Sequence, residues 1–82
     1  MRKSQFDKRV AAYGATWERY YLEHDNSYTI MVDAPEGYMW AEGGTNVIVV
    51  NYFPDFNDRV ADAYAEAVER MAHGLTPNEE EQ

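Results

Sequence analysis

Carboxylates near the C-terminus recur with the spacing of an α-helix. Five acidic residues follow one another at spacings of three, four, four and three, namely Asp55, Asp58, Asp62, Glu66 and Glu69. At about 100° per residue they fall within about 80° of arc on one helix face. The row places negative charges about 5 Å apart along the axis, compared with about 3.4 Å for the phosphates of one DNA strand. The pattern predicts an acidic face that occupies the phosphate-binding groove of a partner.

An ordinary solvated helix face is the alternative interpretation of the same residues. Exposed helix faces are usually charged, and Asp55 and Glu66 each have an arginine four residues further on, which allows an ion pair. This alternative does not account for the run Asp58, Asp62 and Glu66, because like charges at i,i+4 destabilise a helix slightly. Both interpretations remain open at the level of sequence.

The overall charge points to the class of partner. The 82 residues carry 7 cations and 15 carboxylates, for a net charge of −8. The first ten residues carry +3, which leaves −11 for the rest. No Lys or Arg lies between Tyr20 and Asp58, a stretch that contains Glu36 and Glu42. Such a surface repels nucleic acids and anionic lipids and attracts basic proteins, although solubility alone also explains it. We expect a protein partner with a basic, nucleic-acid-binding surface, and no direct binding to nucleic acid or membrane.

Aromatic residues supply candidate anchors for such a partner. The chain contains seven Tyr, three Phe and two Trp, which is more than one small core buries easily. Tyr and Trp are the usual anchors of protein interfaces. Tyr20 is adjacent to Tyr21, so at least one of them should be exposed, and Tyr38 and Trp40 share one face of a predicted strand. We predict that Tyr20, Tyr38 and Trp40 contact the partner; the alternative is that the helices cover these rings.

Catalytic chemistry finds little support in the sequence. His24 beside Glu23 and Asp25 is a weak metal site, and the Gly43-Gly44 pair lacks the lysine of a phosphate-binding loop. The chain has no cysteine and no apolar run of about 18 residues. We therefore predict a cytoplasmic protein that is not an enzyme and that has no cofactor and no metal.

A first helix is predicted from Ser4, which would cap its N-terminus. Its apolar face comprises Phe6, Val10, Tyr13, Trp17 and either Tyr20 or Tyr21. Gly14 lies inside this pattern and costs about 1 kcal/mol relative to alanine. Alternatively, residues 16–23 form a strand that pairs with residues 28–32 across a turn at Asp25-Asn26. We prefer the helix.

Three strands are predicted next, over Tyr28–Val32, Tyr38–Ala41 and Val47–Val50. Pro35-Glu36-Gly37 forms the first turn, and Gly43-Gly44 supplies the positive φ angles of a tight hairpin. The unbroken apolar run of the third strand predicts that it lies at the centre of the sheet or is covered on both faces.

A second helix is predicted from Asp55 or Asn57 to His73, with Gly74 as its C-terminal cap. Its apolar face comprises Val60, Tyr64, Val68, Met71 and Leu75. The fold class is therefore α+β: one domain over residues 1–75, in the order α-β-β-β-α, with a three-stranded antiparallel sheet packed by two helices on one face. Residues 76–82 are predicted to be a disordered acidic tail.

The block Asp33–Gly44, with the sequence DAPEGYMWAEGG, resembles a segment of small phage-encoded proteins. A short, acidic, cysteine-free α+β chain also resembles anti-CRISPR proteins, several of which bind the nucleic-acid groove of a defence complex. The resemblance implies an inhibitor or regulator of a nucleic-acid-binding complex in the host cytoplasm. The rival hypothesis is a structural or homodimeric accessory module of phage type, which an exposed edge at Val47–Val50 would favour. A small enzyme, the third hypothesis, requires a concave pocket with convergent polar groups.

Overall fold

Two α-helices enclose a run of four strands in the computed structural model, which describes residues 1–54 and 60–78. In chain order the elements are α1 (Lys3–Ala12), β1 (Thr16–Leu22), β2 (Ser27–Asp33), β3 (Tyr38–Trp40), a 3-10 turn (Glu42–Gly44), β4 (Val47–Tyr52), α2 (Val60–Met71) and β5 (Leu75–Pro77). Strands β1, β2 and β4 form an antiparallel sheet in that order, and β3 pairs with β5 in a two-stranded antiparallel ribbon. The α+β class and a three-stranded antiparallel sheet packed by two helices are confirmed. The predicted order α-β-β-β-α was wrong, because β1 takes the place predicted for β3 in that sheet and β1 and β5 are additional strands.

Both helices pack on the same face of the three-stranded sheet. Because side chains alternate along a strand, the register that aligns Trp17, Val32 and Ile48 places all three on one face. The helices bury their own side chains against this face: Phe6 and Val10 from α1, and Ala63, Tyr64, Ala67 and Met71 from α2. These residues and the sheet residues beneath them form the hydrophobic core.

The segment from Thr16 to Leu22 is a strand, so the preferred helix assignment was wrong and the strand alternative is confirmed. Gly14 ends α1, since its φ of +72° is open to glycine and strained for most other residues. Its N–H donates to the Ala11 carbonyl at 2.8 Å, and the next N–H donates to the Val10 carbonyl at 3.3 Å. This is the Schellman pattern, which terminates a helix. The helix also begins at Lys3, so Arg2 rather than Ser4 occupies the N-cap.

Replacing Gly14 with alanine tests this assignment by the sign of its effect. We expect the free energy of unfolding to fall by about 1 kcal/mol, because an L side chain is disfavoured at positive φ. An added Cβ would meet only the Pro35 Cβ at 3.9 Å, so the cost is conformational rather than steric. Urea denaturation measures the change. If Gly14 lay inside a helix, the same substitution would stabilise the protein; Gly14→Asn, which tolerates this conformation, should lose less.

Strand β4 lies at an edge of the sheet and is exposed on one face, so the prediction that it is central or covered on both faces was wrong. The central strand is β2, which pairs with both neighbours. Burial alternates along β4: Ile48, Val50 and Tyr52 are buried, whereas Val49 is 37% exposed on the face without helices. β-branched residues favour any pleated strand, so an apolar run does not by itself indicate a central position.

Strand β3 leaves the three-stranded sheet and pairs with the C-terminal segment. Tyr38 is opposite Pro77 and Trp40 is opposite Leu75, and the Asn78 N–H donates to the Gly37 carbonyl at 2.9 Å. Residues 76–78, predicted to belong to a disordered tail, therefore have ordered partners in the fold. The rest of the predicted tail, residues 79–82, lies outside the described residues.

Helix α2 is described from Val60 to Met71, and Gly74, with a φ of +93°, turns the chain out of it as predicted. Its buried face is centred on Ala63 and Ala67, while Val60 and Val68 are only half-buried. Small side chains at the contact let the helix lie close to the sheet. Over residues 1–54 and 60–78, no helix is long and apolar enough to cross a membrane.

Candidate partner-binding surface

Three carboxylates of the predicted acidic row lie exposed on one side of α2. They belong to Asp62, Glu66 and Glu69, and the residues between them include the buried Ala63 and Ala67 of the opposite side. At about 1.5 Å per residue, the three carboxylates span about 10 Å of helix axis. Asp55 and Asp58, the other members of the row, lie outside the described residues.

These three carboxylates take no part in an ion pair within the described part of the chain. There, ion pairs join Lys3 to Asp7 at 3.5 Å, His24 to Asp25 at 3.6 Å and Arg70 to Glu42 at 2.9 Å. Asp62 and Glu66 are also i,i+4 neighbours of like charge, an arrangement that costs an isolated helix about 0.2–0.5 kcal/mol. No described cation of the chain is therefore paired with any of the three carboxylates.

Arg70 does not form the i,i+4 ion pair with Glu66 that the sequence allows. Its Nε donates to Glu42 Oε1 at 2.9 Å, and its Nη1 donates to the Val49 carbonyl at 2.8 Å. The guanidinium therefore links α2 to the 3-10 turn and to the edge of β4. Glu42, a predicted partner-binding residue, is engaged inside the molecule instead.

Glu36 and Tyr38 lie in a different part of the molecule: Glu36 is in the turn between β2 and β3, and Tyr38 is the first residue of β3. Both are exposed, and they line a shallow cleft of about 320 Å³ together with Asp33, Pro35 and neighbouring residues. Neither of them lines the clefts beside α2 described below. The predicted site residues are consequently not gathered on one surface.

The predicted aromatic anchors also lie in different environments. Tyr20 is 47% exposed, and its place in the register puts it on the sheet face without helices, where its hydroxyl donates to Glu18. Trp40 is fully buried, and its indole N–H donates to the Val32 carbonyl at 3.0 Å. The prediction that Trp40 contacts a partner was wrong, because the end of β3 that carries it packs into the core.

Sequence reasoning missed a cleft between α2 and the C-terminal half of β4. It has a volume of about 420 Å³, and it is lined by Val50, Asn51, Tyr52, Phe53, Asp62, Ala63 and Glu66. Phe53 is 62% exposed, the highest value among the large apolar side chains of the described residues. Pro54 is the sequence feature that could have indicated the cleft. A proline ends strand pairing, so the preceding residue, Phe53, is left at the rim of the cleft.

A second, shallower groove runs along the other side of the acidic row. Met1 and Arg9 line it from the N-terminal part of the chain, opposite Asp62, Glu66 and Glu69. Arg9 therefore weakens the negative field on the α1 side of α2. On the β4 side, the described residues that line the cleft include no Lys, Arg or His.

Three tyrosines lie together at the end of the sheet beside the cleft of about 420 Å³, and two of them, Tyr28 and Tyr52, stack. Tyr21 and Tyr28 have ring centroids 5.0 Å apart, and Tyr28 and Tyr52 have theirs 5.4 Å apart. The Arg19 guanidinium lies 4.8 Å from the Tyr28 centroid and donates to the Tyr52 hydroxyl at 3.4 Å. Burial raises the pKa of the Tyr52 phenol, and the Arg19 charge opposes part of that rise. Arg19 thus stabilises this stack.

The histidines lie at the surface. The His24 side chain is 80% exposed beside Asp25, and His73 is exposed after the end of α2. Among the residues that the structure describes, no three His, Asp or Glu side chains are grouped so that they could hold a metal ion.

Comparison with known proteins found no matching family model, curated protein or solved structure.

Proposed function

We propose that this chain binds a nucleic-acid-binding protein complex, and inhibits or regulates it, by presenting carboxylates in place of phosphates. The observation that carries the proposal is the exposed trio Asp62, Glu66 and Glu69, which has no ion pair among the described residues. A net charge of −8 adds a long-range attraction for a basic surface. Exposed Tyr20 and Tyr38 remain candidate anchors, and Trp40 and Glu42 are withdrawn from the contact set.

This mechanism sets how the complex should respond to salt. Charge complementarity raises the association rate, and ions screen it with a Debye length of about 10 Å at 0.1 M salt. Affinity capture from a cell extract at low salt, with elution by a salt gradient, identifies the partner. The resemblance to anti-CRISPR proteins makes an RNA-guided nuclease complex the first purified candidate to test.

Neutralising the trio should weaken binding strongly. For the triple variant Asp62→Asn, Glu66→Gln and Glu69→Gln, we expect at least about a tenfold loss of affinity, since each close charge pair contributes about 1.5 kcal/mol or more. The measurement is displacement of fluorescently labelled duplex DNA from the captured partner, followed by fluorescence anisotropy.

A charge-matched control separates a local surface from net charge. The triple variant Glu18→Gln, Glu23→Gln and Asp25→Asn also changes the net charge from −8 to −5, but it alters β1 and the β1–β2 turn. It should bind within about twofold of the wild type if the α2 surface is the site. Equal losses in the two variants, or an affinity that is unchanged between about 50 and 500 mM salt, would contradict the proposal.

Self-association is the second candidate function: the edge position of β4 allows it, whereas Asp62 and Glu66 beside that edge oppose it. An unpaired strand edge can pair with a second copy of the chain. Sedimentation at micromolar concentration distinguishes the two: a stable dimer supports an assembly module, and a monomer supports the inhibitor.

A further inference from the structure

The free edge of β4 offers backbone hydrogen-bonding groups to an additional strand. The Ala34 N–H donates to the Asn46 carbonyl at 2.8 Å, which fixes the alternation of bonded pairs between β2 and β4. Ile48, Val50 and Tyr52 then exchange hydrogen bonds with β2, while Val47, Val49 and Asn51 direct their N–H and C=O groups away from it. The Arg70 bond to the Val49 carbonyl agrees with this alternation.

Among the described residues, only the C-terminal half of this edge is left without hydrogen-bond partners. The Thr45 hydroxyl bonds both to the N–H and to the carbonyl of Val47, at 3.3 and 3.2 Å, and Arg70 covers the Val49 carbonyl. The outward N–H and C=O of Asn51 have no hydrogen-bond partner within the described chain. Asn51 also lines the cleft of about 420 Å³ beside α2. The cleft therefore contains the open part of the edge.

On the α2 side of the cleft, two carboxylates are about as far apart as alternate side chains of a β-strand. Asp62 and Glu66 are one helical turn apart, about 6 Å along the axis, and α2 packs along β4. Alternate side chains of an extended peptide are about 6.7 Å apart and point to the same face. Two cationic side chains at positions i and i+2 of an added strand therefore match the two carboxylates in spacing and in charge.

We propose that an extended, basic segment of the partner protein adds as a strand to β4 at Asn51, with alternate Lys or Arg side chains against Asp62 and Glu66. This inference rests on the proposed function and names the way in which the basic partner is held. A second copy of the chain fits this place poorly, because pairing two β4 edges would bring both copies' carboxylates together and repel them. Backbone pairing would supply affinity, and the two carboxylates would supply selectivity for cations.

A synthetic peptide tests the inference without knowledge of the partner. The probe is a seven-residue peptide that alternates arginine and threonine and has blocked ends, titrated into the full ¹⁵N-labelled chain at low salt. The expected result is a saturable shift of the Asn51 and Phe53 amide signals, with slower hydrogen exchange at the Asn51 amide. If the peptide does not bind, or if it shifts only signals of the α1 side, the inference is overturned.

Two substitutions at Asn51 isolate the backbone contribution. Asn51→Ala and Asn51→Pro both remove the side chain that accepts a hydrogen bond from Thr29 at 2.6 Å, but only proline also removes the outward N–H. Peptide affinity should be about fivefold lower in the proline variant than in the alanine variant. Equal affinities would overturn strand addition. If the proline variant does not fold, the charge variants below decide the question.

The charge variants separate this inference from the proposed function. The double variant Asp62→Asn and Glu66→Gln should lose about tenfold in peptide affinity, and Glu18→Gln on the helix-free sheet face should lose little. Glu69 does not line the cleft, so Glu69→Gln should lose less than Glu66→Gln. If all three α2 carboxylates contribute equally to peptide affinity and the two Asn51 variants bind the peptide equally well, strand addition is wrong. The carboxylate surface of the proposed function is then still supported. If the purified partner binds the neutralised α2 variant as tightly as it binds the wild type, the proposed function fails as well.

Discussion

Replacing Trp40 with alanine should lower the free energy of unfolding by about 4 kcal/mol, a loss typical of large-to-small changes in a core. The side chain is fully buried, and the edge-on contact with the Tyr13 ring has a centroid distance of 5.4 Å. The substitution leaves a cavity and removes the donor to the Val32 carbonyl. Thermal unfolding followed by circular dichroism should show a midpoint lower by about 15–30 °C for a domain of this size.

Two further substitutions decide what Trp40 contributes. Trp40→Phe keeps a six-membered ring in the core and loses the indole hydrogen bond, while the Val32 carbonyl keeps its strand partner Ile48, so it should cost less, about 1–3 kcal/mol. Tyr38→Ala removes a 46% exposed ring two residues away and should change stability by less than about 1 kcal/mol. A stable Trp40→Ala protein with impaired partner binding would restore the original prediction that Trp40 is an interface residue.

Trp40 shows why burial was harder to predict than secondary structure. The strand that carries it was predicted correctly, and the shared face of Tyr38 and Trp40 follows from alternation. What decides burial is the partner of β3, which is Leu75–Pro77, more than 30 residues away along the chain. That partner segment is only three residues long, and its sequence has no alternating pattern that would indicate a strand. Local sequence therefore could not show which end of β3 enters the core.

The first error in the fold has a local cause that was visible. Phe6, Val10, Tyr13 and Trp17 do recur at helical spacing, yet only the first three lie on or next to α1. Gly14 interrupts that pattern at the position where a helix commonly ends, and the β-branched or aromatic residues Thr16, Trp17, Tyr20 and Tyr21 follow it. Trp17 still packs on Phe6 from its strand, so the apolar pattern marked the core correctly and the secondary structure incorrectly.

The acidic site also has features that local sequence predicts and features that it does not. The exposed positions of Asp62, Glu66 and Glu69 follow from helical periodicity, which is a local property. The pairing of Arg70 with Glu42 joins residues 28 apart in sequence, and no spacing rule indicates it. The cleft beside Asn51 depends on β4 being an edge strand, which strand composition does not reveal. The exposed carboxylates of α2 could thus be predicted from the sequence, whereas the cleft beside them could not.

The α1 side and the β4 side of the acidic row differ in the charges that surround them. On the α1 side, Arg9 lines the groove and moderates the negative field. On the β4 side, Asp62 and Glu66 border a backbone edge that no other described strand pairs, and the described residues that line the cleft include no Lys, Arg or His. A basic partner should therefore approach from the β4 side, where electrostatic attraction and backbone hydrogen bonds act on the same segment.

Replacing Phe6 with alanine should cost about 3–5 kcal/mol of unfolding free energy. Phe6 is fully buried, stacks on Tyr64 with a centroid distance of 4.6 Å and meets Trp17 edge-on at 4.8 Å. Its ring thus joins α1 and α2 to the sheet. Urea denaturation of Phe6→Ala gives the loss, and a change below about 1 kcal/mol would contradict this packing.

Phe53→Ala is the matched control, because it removes the same ring from a position that is 62% exposed at the rim of the cleft. We expect it to unfold within about 1 kcal/mol of the wild type. The same variant should bind the arginine–threonine peptide more weakly, because the ring borders the site of the added strand. Phe6→Ala, studied at a temperature where it remains folded, should show the opposite combination of lost stability and retained affinity. Such a reversal would separate the residues that hold the fold together from those that its open edge presents to a partner.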